Sequence, residues 1–118
     1  MTVFFGFAIA DSMFPDNCCA RRHALTPEDA VERLKRGTAV PCVNPSHKAT
    51  LDALKTRFGV EIPVPATPPS IKLNLGDGII VMAVSGLPRL TDRHEYTSDE
   101  IAGAKFRFAL WTCNDPQD

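Results

Sequence analysis

The chain has 118 residues, 44% apolar and 23% charged, with 13 basic residues against 14 acidic ones and a formal charge of -1. That length fits one domain, residues 1–118, with a core that needs no metal or disulfide staple. The balanced charge argues against a duplex nucleic-acid binder, which carries a basic excess, and no apolar run approaches the roughly 18 residues of a transmembrane helix.

Val3 to Ile9 is aromatic and β-branched and reads as a buried strand; the stretch from Met1 lacks the basic flank of a signal peptide. Ala10 to Ala24 reads as irregular, with a turn at Pro15-Asp16-Asn17, and is long enough for a functional loop. Thr26-Pro27-Glu28-Asp29 opens a helix: Thr26 caps, Pro27 suits the first position and the acids complement the dipole. Ala30, Val31 and Leu34 form its apolar stripe and Gly37 stops it. Thr38 to Val43 reads as a strand. Asn44 and Pro45 then start a second helix, with Leu51, Leu54 and Phe58 at helical spacing and Gly59 at its end.

Pro63 to Pro69 is a connector. Ile71, Leu73 and Leu75 alternate with polar residues, as in a half-buried strand, and Gly76-Asp77-Gly78 reads as a hairpin turn pairing it with Ile79 to Val84. That second run is continuously apolar, the mark of a central strand covered on both faces. Ser85 to Tyr96 is a polar loop. Thr97-Ser98-Asp99-Glu100 matches a capping box for a short helix through Ala104. Phe106, Phe108 and Leu110 alternate along a last strand and are expected to share a core with Ile79, Val81 and Leu54. Asn114 to Asp118 is a tail. The chain order β-α-β-α-β-β-α-β predicts an α/β fold with a single mixed sheet of about five strands flanked by helices.

The four cysteines, at 18, 19, 42 and 113, form no Cys-x-x-Cys pair. With no signal peptide the expected setting is the reducing cytoplasm, and the thiols read as reduced structural residues rather than a zinc site. Asp11, Asp16 and Asp92 have no spacing that demands a metal. The phosphate-loop, dinucleotide-loop and nucleophile-elbow patterns are absent.

His47 is the most informative residue. It follows a strand and opens a helix, where backbone donors and a positive dipole end favour a phosphate. A histidine there can give a proton to a leaving oxygen or hold a phosphate oxygen; it can equally be a surface or capping residue. Lys48 adds charge, and Thr50 offers a hydroxyl on the same face. In the loop after the central strand, Arg89 between Pro88 and Leu90 suits a bidentate phosphate contact. Arg93, His94 and Glu95 read as a solvated, self-paired charge run.

These residues together resemble the small viral and bacterial ring nucleases, which include an anti-CRISPR protein of archaeal viruses that degrades cyclic tetra-adenylate. The resemblance spans most of the chain. It rests on the Leu25-Thr26-Pro27-Glu28-Asp29-Ala30 helix start, on His47-Lys48-Ala49-Thr50 running to Gly59-Val60-Glu61-Ile62-Pro63, and on Leu75-Gly76-Asp77. Pro88-Arg89-Leu90 and Thr97-Ser98-Asp99-Glu100-Ile101 complete it. It implies a mixed α/β sheet, a two-fold homodimer holding a cyclic oligonucleotide across its interface, and catalysis with neither metal nor cofactor. On that resemblance the ribose 2′-hydroxyl is expected to attack the adjacent phosphate, with His47 as general acid and Arg89 stabilising phosphate charge. Ser12 and Asp92 fall at positions expected to contact ligand. The chain departs from the family at Ser46, where glycine is usual, at Ala49, and at Pro65-Ala66, where an Asn-Arg pair is common. The alternative on the same fold is a non-catalytic nucleotide-binding or protein-interaction dimer.

Overall fold

A computed structural model describes residues 1–67, 69–91 and 93–117. The strands are β1 (Val3–Gly6), β2 (Cys19–Leu25), β3 (Val40–Pro41), β4 (Gly78–Ser85) and β5 (Lys105–Asn114). The helices are α1 (Pro27–Lys35), α2 (Lys48–Phe58) and α3 (Ser98–Gly103), with 3-10 turns at Asp11–Met13 and Pro45–His47. The strands form one five-stranded sheet in the order β2-β5-β4-β1-β3. β1 runs parallel to β3 and β4, and β5 runs antiparallel to β4 and β2. This is the mixed α/β sheet that the sequence predicts.

One of its five strands is unexpected, and one expected strand is absent. The stretch read as irregular contains β2, which pairs with β5 over Cys19 to Leu25. It escaped pattern reading because Ala20 to Ala24 are all exposed, so burial imposes no alternation on them. As an edge strand its interior positions carry Arg21, Arg22 and His23, charges that discourage edge-to-edge pairing. Conversely, Ile71 to Leu75 is not a strand, and no hairpin joins it to β4. Both sides of β4 are occupied, by β1 and by the ten-residue β5. The alternation there reports packing instead: Ile71 and Leu73 pack beneath the sheet while Leu75 is exposed. Leu73 donates its N–H to the Met13 carbonyl. The observed chain order is therefore β-β-α-β-α-β-α-β, and the strand expected over Thr38 to Val43 shortens to Val40–Pro41.

The Gly76-Asp77-Gly78 turn feeds the chain into β4. The buried Asp77 carboxylate accepts from the N–H groups of Thr2 at 2.9 Å and Asn74 at 3.0 Å. Those two bonds hold its carboxyl below the usual aspartate range. At Gly78 a Cβ would lie 3.0 Å from the Trp111 carbonyl oxygen, so glycine permits β4 to approach β5 there.

The sheet has two differently covered faces. On one, Phe5, Ile80, Met82, Phe106, Phe108 and Leu110 pack with Ala30 and Leu34 of α1, Leu51 and Leu54 of α2 and Ile101 of α3. On the other, Ile79 and Cys113, with Phe4, Val81 and Trp111 at their margin, meet Leu73 and the loop residues Ile9, Met13 and Phe14. The shared core expected of Phe106, Phe108, Leu110 and Leu54 is present. Ile79 and Val81 belong instead to the opposite face, because successive strand residues alternate.

Candidate functional site

The parallel run of β1, β3 and β4 brings their carboxyl ends to one edge of the sheet. From that edge leave the segment after Gly6, the Asn44–His47 turn into α2, and the loop that begins at Gly86. Ligand sites in open α/β sheets gather outside this edge.

His47 sits there as the N-cap of α2, at the end of the 3-10 turn. Two contacts orient its half-buried ring. The Asn44 N–H donates to Nδ1 at 3.3 Å, and the Phe7 ring meets the imidazole edge to face with centroids 4.6 Å apart. Phe7 is itself set edge-on against the buried Phe5 at 5.8 Å. An accepting Nδ1 leaves the proton of the neutral ring on Nε2. The turn is a capping box in which histidine takes the place usual for glutamate: Asn44 Oδ1 accepts from the Ser46 N–H at 2.9 Å and from the Ser46 hydroxyl. Asn44 is legible in the sequence as a cap. Its backbone contact to His47 is not, although the Asn-x-x-His spacing carries the signal. Phe7 continues the β1 alternation of Val3 and Phe5, and that was the clue to its facing the same side.

Lys48 pairs with Asp52 at 2.7 Å, a bond that raises its pKa, so engagement with a phosphate would exchange one anion for another. Lys48 also borders a groove of about 410 Å³ between α2 and the 61–64 segment, whose apolar lining includes Leu51, Ile62 and Val64. Thr50 is half-buried on the first turn of α2. Arg89 is exposed in the loop after β4. Ser12 belongs to the Asp11–Met13 turn, which is fastened to a different neighbour: its carbonyl accepts from Lys72 Nζ at 2.9 Å. Among the described residues no hydrogen bond joins Ser12, Thr50 or Arg89 to His47. Asp92 lies outside the described residues.

The charge run after Arg89 is not simply self-paired. Arg93 forks onto both Glu100 carboxylate oxygens, at 2.6 and 2.5 Å, and so binds the loop to the start of α3. Glu100 also accepts from the Thr97 N–H, completing the expected capping box. The Arg93 guanidinium, aided by that N–H, draws the Glu100 carboxyl down to about 2. Arg57 of α2 secures the other end of α3 by donating to the carbonyls of Ile101 at 3.2 Å and Ala102 at 2.8 Å. The loop carrying Arg89 is thus held between β4 and a doubly anchored helix.

Among the described residues, no cluster of three His, Cys, Asp or Glu side chains is placed to hold a metal ion, and no helix is long and apolar enough to cross a membrane. No protein-family model and no curated protein matches the chain. Among solved structures it is similar to B116 of Sulfolobus turreted icosahedral virus. The TM-score is 0.71 and the identity 21%, over 95% of this chain and 99% of that one. The likeness is to a protein of an archaeal virus, and at that identity it is one of fold.

Proposed function

We propose that the protein is a ring-nuclease-like phosphodiesterase that binds and cleaves a cyclic oligonucleotide such as cyclic tetra-adenylate, acting as a homodimer without a metal. The observation that carries the reading is the placement of His47: N-terminal to α2, at the carboxyl edge of β1, β3 and β4. The helix N-terminus supplies amide donors for a phosphate, and Nε2 is the ring atom left to face it.

In this reading the ribose 2′-oxygen attacks the adjacent phosphorus while the bond to the 5′-oxygen breaks. The 2′-hydroxyl proton passes to solvent. The 5′-oxygen takes its proton from the imidazolium form of His47, whose Nδ1 has then given up the Asn44 N–H, and the product ends in a 2′,3′-cyclic phosphate. Arg89 holds the charge that grows on the non-bridging oxygens. Ser12, Lys48, Thr50 and Asp92 contact the ligand. One small subunit offers only part of a pocket for a ring ligand, and two-fold closure duplicates His47 and Arg89 about one axis.

A binding-only reading is favoured by one contact. With Nδ1 accepting from Asn44, a neutral His47 donates a hydrogen bond through Nε2 without surrendering the proton. Incubation with a panel of cyclic oligoadenylates and cyclic dinucleotides, with and without chelator, separates the two. The nuclease gives linear products ending in cyclic phosphate at a rate indifferent to chelator. The binder retards the ligand on a sizing column and leaves it intact.

A further inference from the structure

The second face of the sheet holds a pair of thiols for which the proposed chemistry has no use. Cys113 of β5 is fully buried, and Cys18, just before β2, is half-buried; both belong to the small core beneath the sheet. The strand register makes them diagonal neighbours on one face. Ala20 lies directly opposite Cys113, and Cys18, two residues earlier, falls on the same side of the chain. Cys18 packs against the cluster that Cys113 helps to form, and it is one of the groups that raise the Cys113 pKa. Cys19 stands opposite Asn114 and so turns to the other face. Cys42 lies beyond β3 on the far side of the sheet order, its thiol directed to the Val40 carbonyl at 3.7 Å.

We infer that Cys18 and Cys113 form a specific oxidation site, closed to an intramolecular disulfide by a small external disulfide such as oxidised glutathione. Cys18 is the reachable thiol. Its thiolate attacks one sulfur of oxidised glutathione, forming a mixed disulfide and expelling one glutathione thiolate. Cys113 then loses its proton to solvent and attacks Cys18 Sγ, expelling the second glutathione. Two protein thiols are oxidised and one external disulfide is reduced. Burial, together with the Cys18 contact, lifts the Cys113 thiol to about 11, so the second step is the slow one. The new bond ties the end of the loop that carries Ser12 to the last strand of the sheet, closing a span of most of the chain.

Oxidised glutathione is added in excess to the full-length folded protein, and intact mass and a proteolytic map are followed with time. A transient adduct of one glutathione should form first, then a product lighter than the starting protein by two hydrogens. The map should link Cys18 to Cys113, and the melting temperature should rise by several degrees. In Cys113→Ser the glutathione adduct on Cys18 should persist, and Cys18→Ser should leave Cys113 unmodified. Since a hydroxyl at the buried position 113 can impair folding, the wild-type map alone decides the matter. A link from Cys18 to Cys19 or Cys42, or a glutathione adduct that never resolves in the folded wild type, overturns the inference.

Discussion

The ring of Phe7 lies edge to face against that of His47, with centroids 4.6 Å apart and planes at 70°. This joins the hydrophobic core to the residue at the head of α2, because Phe7 rests in turn on the buried Phe5. The orientation of His47 is therefore set partly by the core. Phe7→Leu should keep the fold, since the position is half-buried. It should remove the aromatic ring current felt by the imidazole. The ring protons of His47 then move measurably in a carbon-resolved NMR spectrum, while those of His23 and His94 stay in place. Unchanged His47 resonances would show that the rings do not meet in solution.

Asn44→Ala removes the side-chain acceptor of the Ser46 N–H and leaves the backbone donor to His47 intact. Loss of such a cap costs about 1 kcal/mol, within a range of roughly 0.5–2. Urea denaturation should show a lower midpoint with an unchanged slope.

Arg57→Ala unties the end of α3 from α2. A charged donor shared by two carbonyls is lost, and a hydrogen bond to a charged group contributes roughly 1.5–3 kcal/mol when sheltered. With the Ala102 contact exposed, the lower end of that range is expected. Amide exchange should quicken over α3 and the loop before it, while β4 and β5 stay protected.

Acid should weaken the fold through Asp77 and Glu100. Both carboxyls have pKa values lowered in the folded state, so their contribution is full above the ordinary carboxylate range near 4 and is lost as pH falls through the depressed values. For Glu100 that loss runs from the ordinary carboxylate range down to about pH 2. In Asp77→Asn one of the two N–H groups facing the carboxylate meets an amide NH₂ instead of an oxygen. The variant should be less stable at neutral pH, by about 1–3 kcal/mol, and should lose less stability than wild type between about pH 4 and pH 2. Parallel pH-stability curves for the two proteins would remove Asp77 from this account.

Where burial or a cap marks a residue, the sequence is legible. Thr26 and Thr97 stand at the α-helix starts that their side chains announce, and Asn44 caps the 3-10 turn that leads into α2, because capping is a local interaction. The apolar run from Ile79 is central, flanked by β1 and β5. β2 is illegible by the same logic, being an exposed edge held by backbone pairing to β5. Ile71 to Leu75 shows the converse: alternation reports which side chains are inward and is silent on whether a strand neighbour is vacant. The site is legible at His47, where local chemistry is concentrated. The support of its ring is less so, because Phe7 reaches it through the fold, and the loop that carries Arg89 is tied by Arg93 to Glu100, far along the chain from β4.

Arg89→Ala should raise the dissociation constant for a cyclic oligoadenylate and slow its turnover, because the guanidinium engages phosphate already in the ground state. Calorimetric titration against wild type measures the first effect. Equal affinity in the two proteins would place Arg89 outside the site.

The central claim is that His47 delivers a proton to the leaving oxygen. It is tested most directly by single-turnover cleavage of cyclic tetra-adenylate, with enzyme in excess and chelator present, comparing wild type with His47→Ala. Wild type should form product ending in a 2′,3′-cyclic phosphate. The variant should bind the ligand with nearly unchanged affinity and cleave it roughly 10²–10⁴-fold more slowly. Equal cleavage rates in the two proteins, or no cleavage by wild type of a ligand it demonstrably binds, would contradict it.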